Sequence, residues 1–254
     1  VALATLIAQG ISAVISFALL MRKLKGYREE EKVRLYSGEM AASMVKIAVP
    51  STLQQSIVHV GILLVQAVIN SFGSTALAGY SAGMRIESLS IVPMLAMGNA
   101  MSTFTAQNMG AGNIDRVKKG YRMCYVIVLT AGAVLCIMYQ LAGGMFVSLF
   151  LDSGSSEAYN IGLSYVRFLS FFYSFIGLKA STDGLLRGAG DVVAFTVANL
   201  VNLAIRVSVT NLFAPVYGIQ VAWMAVPLGW AANYVISFGW YLTGKWKNVR
   251  VIRK

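Results

Sequence analysis

The chain has 254 residues with 21 Lys and Arg against 10 Asp and Glu, a net charge of +11, yet only 12% of its residues are charged and 57% are hydrophobic. A soluble domain carries about a quarter charged residues, so this balance excludes most soluble globular enzymes. Met123 to Leu151 runs 29 residues without Asp, Glu, Lys or Arg, and Val207 to Gly244 runs 38; about 20 suffice to cross a bilayer as a helix, so the chain reads as a polytopic membrane protein.

Apolar runs poor in charge predict an all-α bundle of about seven transmembrane helices, at 1–21, 47–72, 83–108, 121–149, 159–181, 192–213 and 219–243. Span one has no basic residue ahead of it and carries Thr5, Gln9, Ser12 and Ser16, unlike a cleavable signal. A chain that begins inside a span is expected to be a fragment of something longer. Residues 22–46 hold seven basic and four acidic residues. They read as a solvated linker, with a surface helix from Tyr27 and a Glu30–Arg34 pair as the other reading.

Span two carries Gln54, Gln55, Gln66 and Asn70, amides that either line a wet cavity or join helices by hydrogen bonds. It also carries the only histidine, His59, whose ordinary pKa of about 6.5 suits a proton relay as well as a packing role. Span three opens with Arg85 and Glu87, read as a snorkelling pair at the interface or as a functional pair. Met94, Met97 and Met101 then recur at helical spacing, a stripe that serves ordinary packing more often than a promiscuous ligand site.

The two cysteines, Cys124 and Cys136, both fall in span four, without metal-ligand spacing, and are expected to pack; no metal site is expected. Arg167 in span five and Arg206 in span six sit deeper, where a charge is costly and faces the bundle interior or a water-filled cavity. Phe171, Phe172 and Tyr173 are aromatics that suit either an organic cation or helix contact.

Short cytoplasmic loops collect Lys and Arg. Of the 21 basic residues, 18 fall in alternate gaps: the linker, the gap after span three (Arg116, Lys118, Lys119, Arg122), the end of span five (Lys179, Arg187) and the tail 245–254. The opposite gaps hold none. The C-terminus is therefore predicted cytoplasmic in a multi-pass cell-membrane protein, and the positive charge is a topology signal with some attraction for lipid heads, not a nucleic-acid footprint.

Two of the cytoplasmic turns share a pattern. Gln107-Asn108-Met109-Gly110-Ala111-Gly112 ends span three, and Leu186-Arg187-Gly188-Ala189-Gly190-Asp191 follows span five. Glycines here predict tight helix-ending turns, and neither follows a strand or supplies the Gly-Lys-Ser/Thr of a phosphate loop.

These residues carry a resemblance. Pro50-Ser51-x-x-Gln54-Gln55, Ala82-x-x-Arg85-Ile86-Glu87, Pro93, Gln107-x-x-Gly110-Ala111-Gly112, Leu186-Arg187-Gly188-x-Gly190-Asp191 and Asn199-x-x-Asn202-x-x-x-Arg206 are similar, in order and spacing, to the multidrug and toxic compound extrusion (MATE) family of transporters. The resemblance implies two six-helix lobes in the same orientation. Residues 1–21 would be the last helix of a first lobe, 22–46 a cytoplasmic interlobe linker, 47–244 the second lobe and 245–254 a basic tail, with the remaining N-terminal lobe as the partner.

It further implies export of drugs or organic cations by alternating access, with a proton or sodium ion as the coupling cation and no other cofactor. Some members carry acidic residues on the helices matching spans two and five. Here those spans show none in their interiors, Asp183 falling just past the end of span five, so either Glu87 contributes or the coupling carboxylate belongs to the first lobe, the reading preferred from sequence. A flippase for lipid-linked sugars, of a related fold, is the alternative and would need a strongly cationic cavity. An enzyme would need clustered His, Asp, Glu, Ser or Cys, which one histidine and so few intramembrane acids do not supply.

Overall fold

The computed structural model describes residues 2–24, 37–152 and 157–248 and, among them, contains only helices and turns. The order is α1 (Ala2–Leu24), α2 (Gly38–Asn70), α3 (Ser74–Gly110), α4 (Ile114–Ser148), α5 (Glu157–Ser170), α6 (Tyr173–Gly188), α7 (Val192–Tyr217) and α8 (Gln220–Thr243), then a 3-10 turn, Lys245–Asn248. Five helices are long and apolar enough to cross a membrane, and α5 with α6 makes a sixth as one bent pair. In α2 the described stretch Ser56–Asn70 counts as a shorter apolar helix.

The chain divides into two compact units, Val1–Lys46 and Ile47–Lys254. In the first, α1 exposes its apolar side chains along its whole length, from Leu3 to Leu24. The surface helix expected from Tyr27 lies outside the described residues. In the second, α3 is the central post against which α4, α5 and α6 pack, while α7 pairs with α8 and α8 with α6.

Small residues allow the closest of these approaches. A Cβ on Gly184 would stand 2.1 Å from the carbonyl oxygen of Gly98, and one on Gly188 would stand 2.2 Å from that of Ser102. The backbones of α3 and α6 therefore touch along a stripe of four-residue period on each helix, the packing that lipid-embedded helices favour because lipid tails offer no hydrophobic drive toward association.

Span five is not one straight helix. It breaks between Ser170 and Tyr173 with a bend of 54°. Neither proline nor glycine stands at the break; the cause is a carbonyl taken out of the helical ladder. Arg167 O, which an unbroken helix would offer to the amide of Phe171, instead accepts from Gln140 Nε2 at 2.8 Å and from Ser170 Oγ at 2.7 Å.

Span three begins at Ser74, nine residues before the sequence-based boundary at Gly83, and α6 runs to Gly188, well past the expected end at Ser181. Asp183 is consequently inside a helix, and the expectation that it lies beyond the span is corrected. Its charge and those of Lys179 and Arg187 lower the local hydropathy and hide the continuation of the span.

Both glycine-rich motifs end helices as expected. Gly112 has φ +73° and Gly190 φ +84°. In each turn an amide reaches back to a carbonyl five residues earlier, Asn113 to Asn108 at 2.8 Å and Asp191 to Leu186 at 2.9 Å, a Schellman-type closure that satisfies carbonyls at the helix end. Gln107 and Gly110 are exposed at the first turn. In the second, Asp191 caps α7 by accepting from Ala194 N at 3.4 Å and takes the indole N–H of Trp240 at 2.6 Å.

Candidate functional site

The second unit contains a cavity of about 490 Å³ lined by α2, α3, α6, α7 and α8. The bend puts the second half of span five against it, so that Lys179, Asp183 and Arg187, spaced one helical turn apart on α6, all reach its wall. Facing them are Asn199, Asn202 and Arg206 of α7, together with Glu87 and Asn99 of α3. Val58, Ile62, Ile91, Leu95, Phe195 and Trp230 supply apolar lining. A drug-sized cavity that mixes apolar walls with a few convergent polar groups is the general form of a small-molecule site.

Its centre is a buried charge cluster. Lys179 Nζ lies 3.0 Å from Asp183 Oδ2 and donates to Asn199 Oδ1 at 3.0 Å. Asn199 Nδ2 donates in turn to Asp183 Oδ2 at 3.1 Å, and Ser237 Oγ of α8 donates to Asp183 Oδ1 at 2.7 Å. Both carboxylate oxygens of Asp183, only 4% exposed, are thus satisfied by partners from three helices. A buried carboxylate is tolerated when it is paired and hydrogen-bonded in this way.

Glu87, 8% exposed, accepts a hydrogen bond from the hydroxyl of Tyr165 on α5. Arg206 approaches from α7 within electrostatic reach of Glu87 and Tyr80. Arg187, at the last turn of α6, donates to Asn99 Oδ1 at 2.7 Å and to Ser102 Oγ at 3.4 Å, with its guanidinium 5.6 Å from the Phe195 ring centre.

Of the residues singled out from sequence, the fold brings together Glu87, Asn199, Asn202, Arg206 and Arg187. The others stand apart. Arg85 is exposed, its guanidinium 6.0 Å from the Phe150 ring centre. The expected Arg85–Glu87 pair does not form, because residues two apart point to different sides of a helix.

Arg167 is exposed and away from the cavity rather than deep, and it is its carbonyl that shapes the fold. His59 is exposed on α2 and outside the cavity lining. Gln66 Nε2 donates to Asn70 Oδ1 at 3.1 Å within α2, neither lining the cavity nor joining helices. The side chains of Gln54 and Gln55 lie outside the described residues.

Met94 and Met101 are core residues, and Tyr173 is buried where α6 begins, so packing accounts for them. Cys124 is a buried free thiol 3.1 Å from Ser181 Oγ.

Sequence reasoning missed Lys179, Asp183 and Ser237. A signal for the first two was present: opposite charges four apart inside an otherwise apolar stretch. Lys179 and Arg187, counted as cytoplasmic loop charges, belong to the cavity wall instead.

The chain is similar to known proteins. The family model described as MatE matches residues 50–212. "Probable multidrug resistance protein YpnP" of Bacillus subtilis (strain 168) is 27% identical over 252 residues, covering 98% of this chain and 56% of that protein. "Probable multidrug resistance protein YoeA" of the same organism is 25% identical over 253 residues, covering 96% and 54%.

Among solved structures, an outward-facing multidrug resistance MATE transporter of the MOP superfamily matches with a TM-score of 0.72 at 19% identity, over 79% of this chain and 44% of that one, which shows a shared fold. The chain spans about half the length of the curated relatives it matches. With a family model aligned to most of its length and a fold to agree, this membrane helix bundle belongs to the MatE family, the multidrug and toxic compound extrusion family its motifs resemble.

Proposed function

We propose that the chain contributes one lobe of a secondary transporter that expels amphipathic drugs, organic cations among them, in exchange for protons or sodium ions by alternating access. The observation that carries this is Asp183, a carboxylate held by Lys179, Asn199 and Ser237 on the wall of a drug-sized cavity, within the bent helix pair that is long and apolar enough to count as a span. Intramembrane carboxylates of this kind mark ion pathways, since binding or releasing a cation there changes which conformation is favoured. Asp183 thereby takes the coupling role that the sequence reading had left to the first lobe. The names of the curated relatives, probable multidrug resistance proteins, point the same way.

In this reading 1–21 is the last helix of the first lobe, 22–46 the cytoplasmic linker, 47–244 the second lobe and 245–254 a cytoplasmic tail in the cell membrane. The first lobe is the partner, and rocking of one lobe against the other moves the cavity between the two sides. The lipid-flippase alternative is not favoured: three basic side chains in the cavity are offset by two carboxylates, short of the strongly cationic chamber it requires.

The test is export of ethidium from cells expressing the full-length protein. Export that collapses with an ionophore, and is abolished by Asp183→Asn while the protein remains in the membrane, is expected. Undiminished coupled export by Asp183→Asn would remove Asp183 from the mechanism, and lipid flipping without dye export would reverse the choice of substrate.

A further inference from the structure

The cavity contains five charged side chains, and four of them are already engaged. Lys179 and Asp183 hold each other, Glu87 accepts from Tyr165, and Arg187 donates to Asn99 and Ser102. Arg206 differs: it lines the cavity and makes no hydrogen bond or ion pair among the described residues. With three basic and two acidic groups in the lining, the cavity has a net charge of one positive unit, and Arg206 is the basic side chain whose N–H donors have no hydrogen-bond partner among the described residues.

We propose that Arg206 is a binding site for the acidic group of an amphipathic organic anion, a carboxylate, sulfonate or phosphate, whose apolar part rests against Leu203 and Trp230. This rests on the reading of the cavity as a substrate pathway and extends its ligands from drugs and cations to anions.

Three physical arguments carry it. A guanidinium inside an apolar span is costly unless its N–H donors are satisfied, and those of Arg206 are left to water or a bound anion. The planar fork of five N–H donors matches an oxyanion in bidentate geometry and binds it more strongly than a neutral acceptor. The surroundings suit an amphiphile: Leu203 lies less than one turn from Arg206 on α7, Trp230 projects from α8, and the volume of about 490 Å³ holds a ligand of drug size. Glu87 stands within electrostatic reach, but its carboxylate is buried and occupied by Tyr165, so it moderates the positive potential at Arg206 without forming an ion pair with it.

The test is binding of two dyes built on the same fused rings, anionic fluorescein and cationic rhodamine 123, to the full-length protein in nanodiscs of neutral lipid, followed by fluorescence anisotropy. Fluorescein is expected to bind, to weaken at least tenfold in Arg206→Gln and less in Arg206→Lys, while rhodamine 123 binds Arg206→Gln no more weakly than the unaltered protein. Should the Gln variant not fold, the loss in Arg206→Lys for fluorescein alone carries the comparison.

Absence of fluorescein binding, or equal weakening of both dyes, would overturn the proposal. Loss of fluorescein binding when phosphatidylglycerol replaces neutral lipid, a competition that Arg206→Gln no longer shows, would support the anion site and identify a lipid phosphate as its occupant. Dye export from cells is measured separately: binding without any export would count against the transport reading and leave the Arg206 site standing.

Discussion

Lys179 and Asp183 stand one helical turn apart on α6 and meet at 3.0 Å with their side chains only 12% and 6% exposed. The pair lets a span carry two full charges and still continue as helix through the core of the second unit. Removing either partner leaves the other buried and unpaired, a change that costs about 3–5 kcal/mol, whereas removing both costs far less. The single variants Lys179→Met and Asp183→Asn are therefore expected to lower the thermal midpoint of the purified full-length protein, and the double variant to recover much of the loss. A double variant as unstable as the sum of the singles would mean that the pair is not coupled.

The contact of α3 with α6 predicts a contrast among glycines. Gly184→Ala places a methyl group where Gly98 O already lies at 2.1 Å and must push the helices apart. A cost of about 1–3 kcal/mol is expected, seen as reduced monodisperse protein in size-exclusion chromatography. Gly110→Ala, with nothing within 4 Å of the new methyl, is expected to be neutral.

Trp240 ties the end of α8 to the start of α7 through its indole N–H, 2.6 Å from Asp191 Oδ2. Trp240→Phe keeps the ring and deletes the donor. A hydrogen bond to a charged group contributes about 1.5–3 kcal/mol, so the variant should unfold at lower temperature. Asp191→Asn, made in the Trp240→Phe background, should cost less than in the unaltered protein, and equal costs would show that the two side chains act independently.

The charge asymmetry of the loops predicts sidedness. Asn113 sits in a turn flanked by Arg116, Lys118 and Lys119, whereas Ser71 sits in a turn without basic residues, and both are exposed. A membrane-impermeant thiol reagent added to intact cells should label Ser71→Cys and spare Asn113→Cys until the cells are opened. The reverse pattern would invert the proposed orientation.

Hydropathy alone was enough to read a bundle of membrane helices, because spanning a bilayer demands about 20 apolar residues whatever the helix packs against. The helix-ending turns were equally legible: Gly112 and Gly190 take positive φ, which glycine adopts at low cost, and this is a local property of the chain. Glu87, Asn199, Asn202 and Arg206 were visible as polar residues in apolar surroundings, where their burial has to be explained.

Asp183 was misplaced because its partners are not local. Asn199 and Ser237 come from α7 and α8, and only their arrival makes a charged stretch of α6 stable inside the bundle. The bend that aims α6 at the cavity was hidden for the same reason, since Gln140 of α4 captures Arg167 O from 27 residues away. Arg85 and Arg167 looked equivalent to Arg206 along the chain, and only the rotation of each helix separated the two exposed side chains from the one that faces the cavity. The sequence by itself determined that the chain is a bundle of membrane helices and where its glycine-ended helices turn, which depends on short-range hydrophobicity and backbone freedom; tertiary structure alone decided which charged side chains find hydrogen-bond partners, because pairing depends on neighbours that only packing brings within reach.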